Sequence, residues 1–155
     1  MELADILDKG SIITCAKVNS KRQLLQKLAE NIAGDIDVKA QVVFETLVAR
    51  EQLGSTGLGN GIAIPHGKII GISGVRAVFV RLEMPIEFDA IDEQPVDLAI
   101  MLIAPAGAGA DHLKALARVA RLLRTDSVVA SLRETRDAER LHEILTAPLE
   151  DINAA

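Results

Sequence analysis

Apolar positions change their period several times along the chain, and each change marks an element. Leu24, Leu25, Leu28, Ala29 and Ile32 recur at helical spacing. Ser20 stands where an N-cap belongs, and Gly34 is the predicted stop. Asp37 is the predicted cap of a second helix running to Arg50, with Val38, Val42, Val43, Leu47 and Val48 on its apolar stripe. Before these, Leu3 to Leu7 reads as one short helical turn, and Ser11 to Val18 as a strand carrying Ile12, Ile13 and Val18.

The period is lost from Leu53 to Gly61, where glycines stand at 54, 57, 59 and 61, so this stretch is predicted to be a loop. Ile62-Ala63-Ile64 is a short apolar run closed by Pro65-His66-Gly67, and the proline biases Ile64 to an extended backbone. Val75 to Leu82 reads as a strand. Val96 to Ala104 is almost continuously apolar, which fits a strand buried on both faces, and Pro105 ends it. Asp111 is the predicted cap of a helix carrying Leu113, Leu116, Ala117, Ala120 and Leu123 on one side. Two shorter helices are expected near Ser127–Glu134 and Asp137–Thr146, then a surface tail from Pro148. Helices, strands and helices in that order predict a layered α/β (α+β) fold. No repeat or linker interrupts it, so residues 1–155 are read as a single domain.

Charge and aromatic content narrow the function. The 17 Lys and Arg against 22 Asp and Glu leave a net charge of −5, without the basic footprint of a nucleic-acid binder. The aromatics are Phe44, Phe79 and Phe88 alone, too few for base stacking. Cys15 is the single cysteine, which excludes an intrachain disulfide and a cysteine metal cluster. No apolar run approaches the roughly 18 residues of a membrane span, and Met1-Glu2-Leu3-Ala4-Asp5 lacks a basic leader. No membrane insertion and a cytoplasmic location are therefore expected.

The candidate chemistry gathers around the glycines. The stretch is neither a G-x-x-x-x-G-K-[ST] nor a G-x-G-x-x-G motif. Such a turn still lets backbone N–H groups approach an anion, although a tight surface loop has the same composition. His66 sits between Pro65 and Gly67. A mostly neutral imidazole there suits a nucleophile, a metal ligand, or a turn histidine that only hydrogen-bonds. His112 begins a helix and would meet His66 if their strands are neighbours. His142 reads as a surface residue. Arg50 either faces a phosphate bidentately or complements a helix C-terminus. The hydroxyls of Ser55 and Thr56, with the backbone at Gly57 and Gly67, are candidate phosphoryl-binding positions; Ser55 and Thr56 equally suit turn stabilisation. Asp89 and Asp92 are general bases or members of a solvated turn. Neither G-x-S-x-G nor H-E-x-x-H occurs.

Arg50-Glu51 followed by Gly54-Ser55-Thr56-Gly57-Leu58-Gly59-Asn60-Gly61-Ile62-Ala63-Ile64-Pro65-His66-Gly67 resembles the signature of enzyme IIA proteins of the mannitol/fructose class, in the phosphoenolpyruvate-dependent phosphotransferase system. Phe88-Asp89-Ala90-Ile91-Asp92 with Gln94-Pro95-Val96-Asp97 resembles the nitrogen-regulatory branch, and Asp111-His112-Leu113 with Leu116-Ala117 resembles the second histidine region. The Ala106-Gly107-Ala108-Gly109-Ala110 run departs from the more polar residues of the family pattern.

The resemblance implies a mixed β-sheet flanked by helices. It implies protein-histidine phosphoryl transfer, with His66 phosphorylated on Nε2, His112 against the phosphoryl group and Arg50 supplying positive charge. The implied donor is a histidine-phosphocarrier protein. The implied readers are regulated target proteins, kinases and potassium transporters being the candidate classes, and no cofactor or metal is called for. A chain with no attached transporter favours this regulatory reading over a sugar-specific fructose or mannitol component that passes phosphate to a permease IIB domain. A weak homodimer is left open. A binding module that regulates by docking is compatible with the same switch. A metal hydrolase ranks last, because His66 and His112 alone are available as ligands.

Overall fold

The computed structural model describes residues 2–148, so the predicted tail beyond Pro148 lies outside the described residues. Six strands form one mixed sheet: β1 (Ile12–Ala16), β2 (Gly57–Gly59), β3 (Ile62–Ala63), β4 (His66–Ile69), β5 (Arg76–Ile86) and β6 (Val96–Pro105). Five helices cover it: α1 (Lys21–Ile36), α2 (Ala40–Gln52), α3 (Ala110–Leu123), α4 (Asp126–Glu134) and α5 (Ala138–Thr146). The strand order is β1-β5-β6-β3-β2, with β4 also paired to β6. β5 and β6 run antiparallel at the centre, while β3 and β4 lie in succession, parallel, along one edge of β6.

Alternation along the central strands divides the interior in two. Val78, Val80, Met101 and Ile103 face α1 and α2, packing with Leu24, Leu28, Phe44 and Leu47. Phe79, Leu98, Ile100 and Leu102 face the other way, against Val119, Leu122, Leu132, Leu141 and the N-terminal Leu3 and Leu7. Apolar side chains on both faces explain why β6 shows no polar alternation. The expected layered sheet with flanking helices is therefore the observed architecture.

Several boundaries differ from expectation, each for a local reason. Gly34 does not stop α1; the helix runs on to Ile36, which packs on the core, and Asp37 closes it in the left-handed region at φ 53°. Asp37 is thus spent as a C-cap, and α2 starts after Lys39 with no side-chain cap. Ser20 does cap α1, accepting from the Gln23 N–H at 3.2 Å. β1 carries a register shift against β5 between Ile13 and Ala16, where Cys15 stands at φ 56°, and it ends at Ala16 so that Val18 falls outside the strand. The presumed loop of residues 53–61 contains β2, recruited by pairing with β3. β5 continues past Leu82 to Ile86. Gly109, not Asp111, is the N-cap of α3, and Asp111 lies exposed in the first turn.

Candidate phosphoryl-transfer site

His66 opens β4, directly after the break that Pro65 makes along the β6 edge. The Leu102 N–H donates to the Pro65 carbonyl at 2.9 Å, and His66 is in register with Leu102. Gly67 then permits a close approach. A Cβ at 67 would lie 2.6 Å from Cγ2 of Thr46, so α2 packs on β4 only because no side chain intervenes. One turn beyond Thr46, Arg50 reaches the histidine.

Two contacts settle the state of the His66 ring. Nδ1 lies 2.8 Å from the Ile64 carbonyl, which only accepts. The Arg50 Nε–H, which only donates, points at Nε2 from 3.2 Å. The proton therefore belongs on Nδ1 and the lone pair on Nε2. Burial holds the His66 pKa below its usual 6.5; the Ile64 carbonyl works against this, Arg50 adds to it and Glu51 opposes it. The neutral form of the ring is thereby favoured.

His112 lies in the first turn of α3 and is buried. Its ring meets that of His66 edge-on, with centroids 5.6 Å apart and planes at 68°. Its Nδ1 is buried without a hydrogen-bond partner. Burial lowers its pKa too, with His66 and Lys68 adding to the effect. The two histidines, Arg50, Gly67 and Lys68 line a cleft of about 540 Å³, whose apolar rim includes Leu53 and Leu113. Those leucines are 84% and 68% exposed.

Of the predicted site residues, the structure brings His66, His112, Arg50 and Gly67 together. Ser55, Thr56 and Gly57 do not line the cleft; they build the loop beside it. The Ser55 hydroxyl donates to the Phe88 carbonyl at 2.8 Å and accepts from the Gly57 N–H at 3.1 Å. Thr56 is buried, and its N–H and hydroxyl both donate to the Glu51 carboxylate. Gly57 packs so tightly on Ala90 that an added Cβ would sit 2.7 Å from the alanine methyl.

Asp92 is a turn residue. It accepts from the Asn60 and Gln94 backbone N–H groups at 2.9 and 3.1 Å, which hold its pKa down. Asp89 is exposed, at φ 55°. His142 is half-buried rather than superficial, and its Nε2–H donates to the Leu7 carbonyl at 2.9 Å, pinning the N-terminal turn to α5. Among the described residues no group of three or more His, Cys, Asp or Glu side chains is placed to hold a metal ion. No helix among them is long and apolar enough to cross a membrane. Sequence reasoning missed Glu51, Lys21, Lys68 and the exposed pair Leu53 and Leu113. Glu51 had a usable signal, an acid at a helix end five residues before a threonine; Lys21, thirty residues away, had none.

Known proteins share this arrangement of chain. The chain is 47% identical over 148 residues to the nitrogen regulatory protein of Bradyrhizobium diazoefficiens, covering 96% of this chain and 97% of that one. It is 42% identical to the nitrogen regulatory protein of Escherichia coli, covering 94% and 90%. The crystal structure of nitrogen regulatory protein IIA-Ntr from Neisseria meningitidis superposes with a TM-score of 0.88 at 37% identity, covering 92% and 97%. A family profile described as "Phosphoenolpyruvate-dependent sugar phosphotransferase system, EIIA 2" matches residues 5–147. With both the profile and these relatives spanning nearly all of the sequence, the chain belongs to the EIIA 2 family of the phosphoenolpyruvate-dependent phosphotransferase system.

Proposed function

We propose that this protein is a cytoplasmic phosphocarrier of the nitrogen-regulatory branch. His66 accepts a phosphoryl group from a histidine-phosphocarrier protein, and its phosphorylation state controls binding to target proteins. The observation that carries this reading is the His66 ring: its proton sits on Nδ1, and its Nε2 lone pair meets the Arg50 Nε–H at the edge of an open cleft. The names of the relatives favour this branch over a sugar-specific component passing phosphate to a IIB domain.

In the proposed step the donor's P–N bond breaks and its ring nitrogen leaves with the bonding pair. His66 Nε2 forms the new P–N bond with its lone pair. Nδ1 keeps its proton, so the His66 ring becomes positive, and the Ile64 carbonyl at 2.8 Å faces that charge. Charge in the loose transition state spreads over three equatorial oxygens. The Arg50 Nε–H hydrogen bond shifts from Nε2 to one of them, and His112, whose ring centre lies 5.6 Å from that of His66, is the second polar ring at the site. Both bonds are phosphoramidates, so transfer is nearly balanced and reversible, and the step as written needs no nucleotide or metal.

Leu53 and Leu113 give a donor an apolar landing beside the nucleophile, where burying each contributes about 1.5–3 kcal/mol. A phosphoryl group then adds about −1.5 to −2 charges next to that rim, which suits a switch in partner binding. The test is intact mass and acid lability after incubation with phosphoenolpyruvate, enzyme I and the phosphocarrier protein. One acid-labile phosphoryl group, absent from His66→Ala, is expected. Labelling retained in that variant would overturn the assignment.

A further inference from the structure

We propose that Glu51 is a positioning residue for phosphoryl transfer: with Lys21 and Thr56 it latches the turn whose Gly54 carbonyl aims Arg50 at His66. This rests on His66 being the phosphoryl acceptor. Glu51 follows Arg50 in the last turn of α2, and its side chain, 5% exposed, points into the protein rather than the cleft. Its carboxylate takes three donors: the Lys21 ammonium at 2.9 Å, the Thr56 N–H at 3.0 Å and the Thr56 hydroxyl. A buried ion pair contributes little to stability beyond what well-packed apolar residues of similar volume supply. Its geometry, however, is directional.

That direction is useful because of what lies between residues 51 and 56. The Gly54 carbonyl accepts from Arg50 Nη1 at 2.9 Å, and this contact turns the guanidinium so that Nε meets His66 Nε2 at 3.2 Å. Gly54 itself sits at φ 146°, and nothing would meet a Cβ built on it, so packing does not hold it. Hydrogen bonds hold the turn instead, and one of them is the Ser55 hydroxyl on the Phe88 carbonyl at 2.8 Å. The other two both come from Glu51: its carboxylate holds Thr56, and its carbonyl accepts from the Gly54 N–H at 3.1 Å. Lys21 ties the latch to the neighbouring loop, with its ammonium 4.6 Å from the centre of the Phe88 ring and 3.9 Å from an Asp89 oxygen. Arg50 therefore depends on Glu51 for its aim, although the two side chains point apart.

The test is a double-mutant cycle on transfer from the phosphorylated carrier protein, with folding checked by thermal unfolding and amide spectra. Glu51→Gln keeps the shape and loses the charge. Misplacement of a catalytic group by about 1 Å costs on the order of 100-fold. We expect kcat to fall by about 10- to 100-fold in Glu51→Gln, with KM for the carrier unchanged because the rim is untouched. In an Arg50→Ala background the same change adds no further loss. Thr56→Val, which removes only the hydroxyl, repeats the pattern more weakly and serves if Glu51→Gln does not fold. Adding Lys21→Met to Glu51→Gln restores stability but not kcat. A wild-type kcat in Glu51→Gln overturns the proposal, and so does an equal loss with and without Arg50, which is what general loosening gives. Failure of the wild-type chain to take up phosphate overturns the acceptor reading itself, a separate result.

Discussion

Arg50 and His66 meet donor to lone pair: the guanidinium Nε–H of one covers the nucleophilic Nε2 of the other at 3.2 Å. At rest the attacking atom is therefore occupied. Attack needs Arg50 to move from the nitrogen to the incoming phosphoryl oxygen, whose geometry its planar fork matches. Arg50→Gln keeps a donor at similar reach but removes the charge. It should lower kcat for transfer by about 100- to 1,000-fold, as loss of one charge-stabilising donor does. Rapid-quench transfer from the phosphorylated carrier measures it. A rate within threefold of wild type would remove Arg50 from the transition state.

The titration of His66 follows from its burial. Its folded pKa lies below 6.5, and the same holds for His112. Between that lowered value and 6.5 the unfolded chain binds more protons than the folded one. Stability is therefore complete above pH 6.5 and declines as pH falls through the window below it. Carbon-13 titration of the imidazole Cε1 resonances should place both midpoints under 6.5. The urea midpoint should drop between about pH 7.5 and about pH 5.5, by less in His66→Ala. A His66 midpoint above 6.5 contradicts the burial argument.

His112 presents a different test, because its Nδ1 is buried without a partner. An orphaned polar atom is a standing cost to the fold. His112→Phe should therefore leave the melting temperature unchanged or raise it. It should slow transfer by about 10- to 100-fold, within the range of one positioned polar group. Calorimetry and the quench assay read the two effects separately. A variant less stable and equally fast would assign His112 to packing alone.

Much of this was legible in the sequence, and the misses share a cause. The α1 stripe, the both-faces burial of β6 and the Pro65-His66-Gly67 constraint are local patterns, and each is present in the fold. β2 and β4 were missed because neither carries a strand period of its own; pairing with β3 and β6 makes them strands. Asp37 was misassigned because an acid three residues past a glycine reads equally as the end of one helix or the start of the next. His66 and Arg50 stood out by residue type and spacing. The orientation of their contact did not, since it depends on the Gly54 carbonyl and on Gly67 admitting Thr46. Ser55 and Thr56 looked like anion ligands because hydroxyls in a glycine loop have that composition, but their acceptors, Phe88 and Glu51, lie at 33 and 5 residues' distance.

Gly67 links packing to chemistry most directly. A methyl group there meets Thr46 Cγ2 at 2.6 Å, so the Thr46 side chain, α2 or β4 must shift. Gly67→Ala should destabilise by about 1–3 kcal/mol, the usual cost of overpacking. Because Arg50 rides on the same helix as Thr46, any shift of α2 also separates Nε from His66 Nε2. Transfer should slow by more than the loss of folded protein accounts for. Thr46→Ala removes the colliding methyl and should restore both stability and rate in the double variant, although alone it forfeits the hydroxyl's 2.8 Å bond to the Val42 carbonyl. If the double variant regains stability while transfer stays slow, Gly67 acts through its own backbone at the phosphoryl group. If both return together, its role is to let the helix reach the histidine.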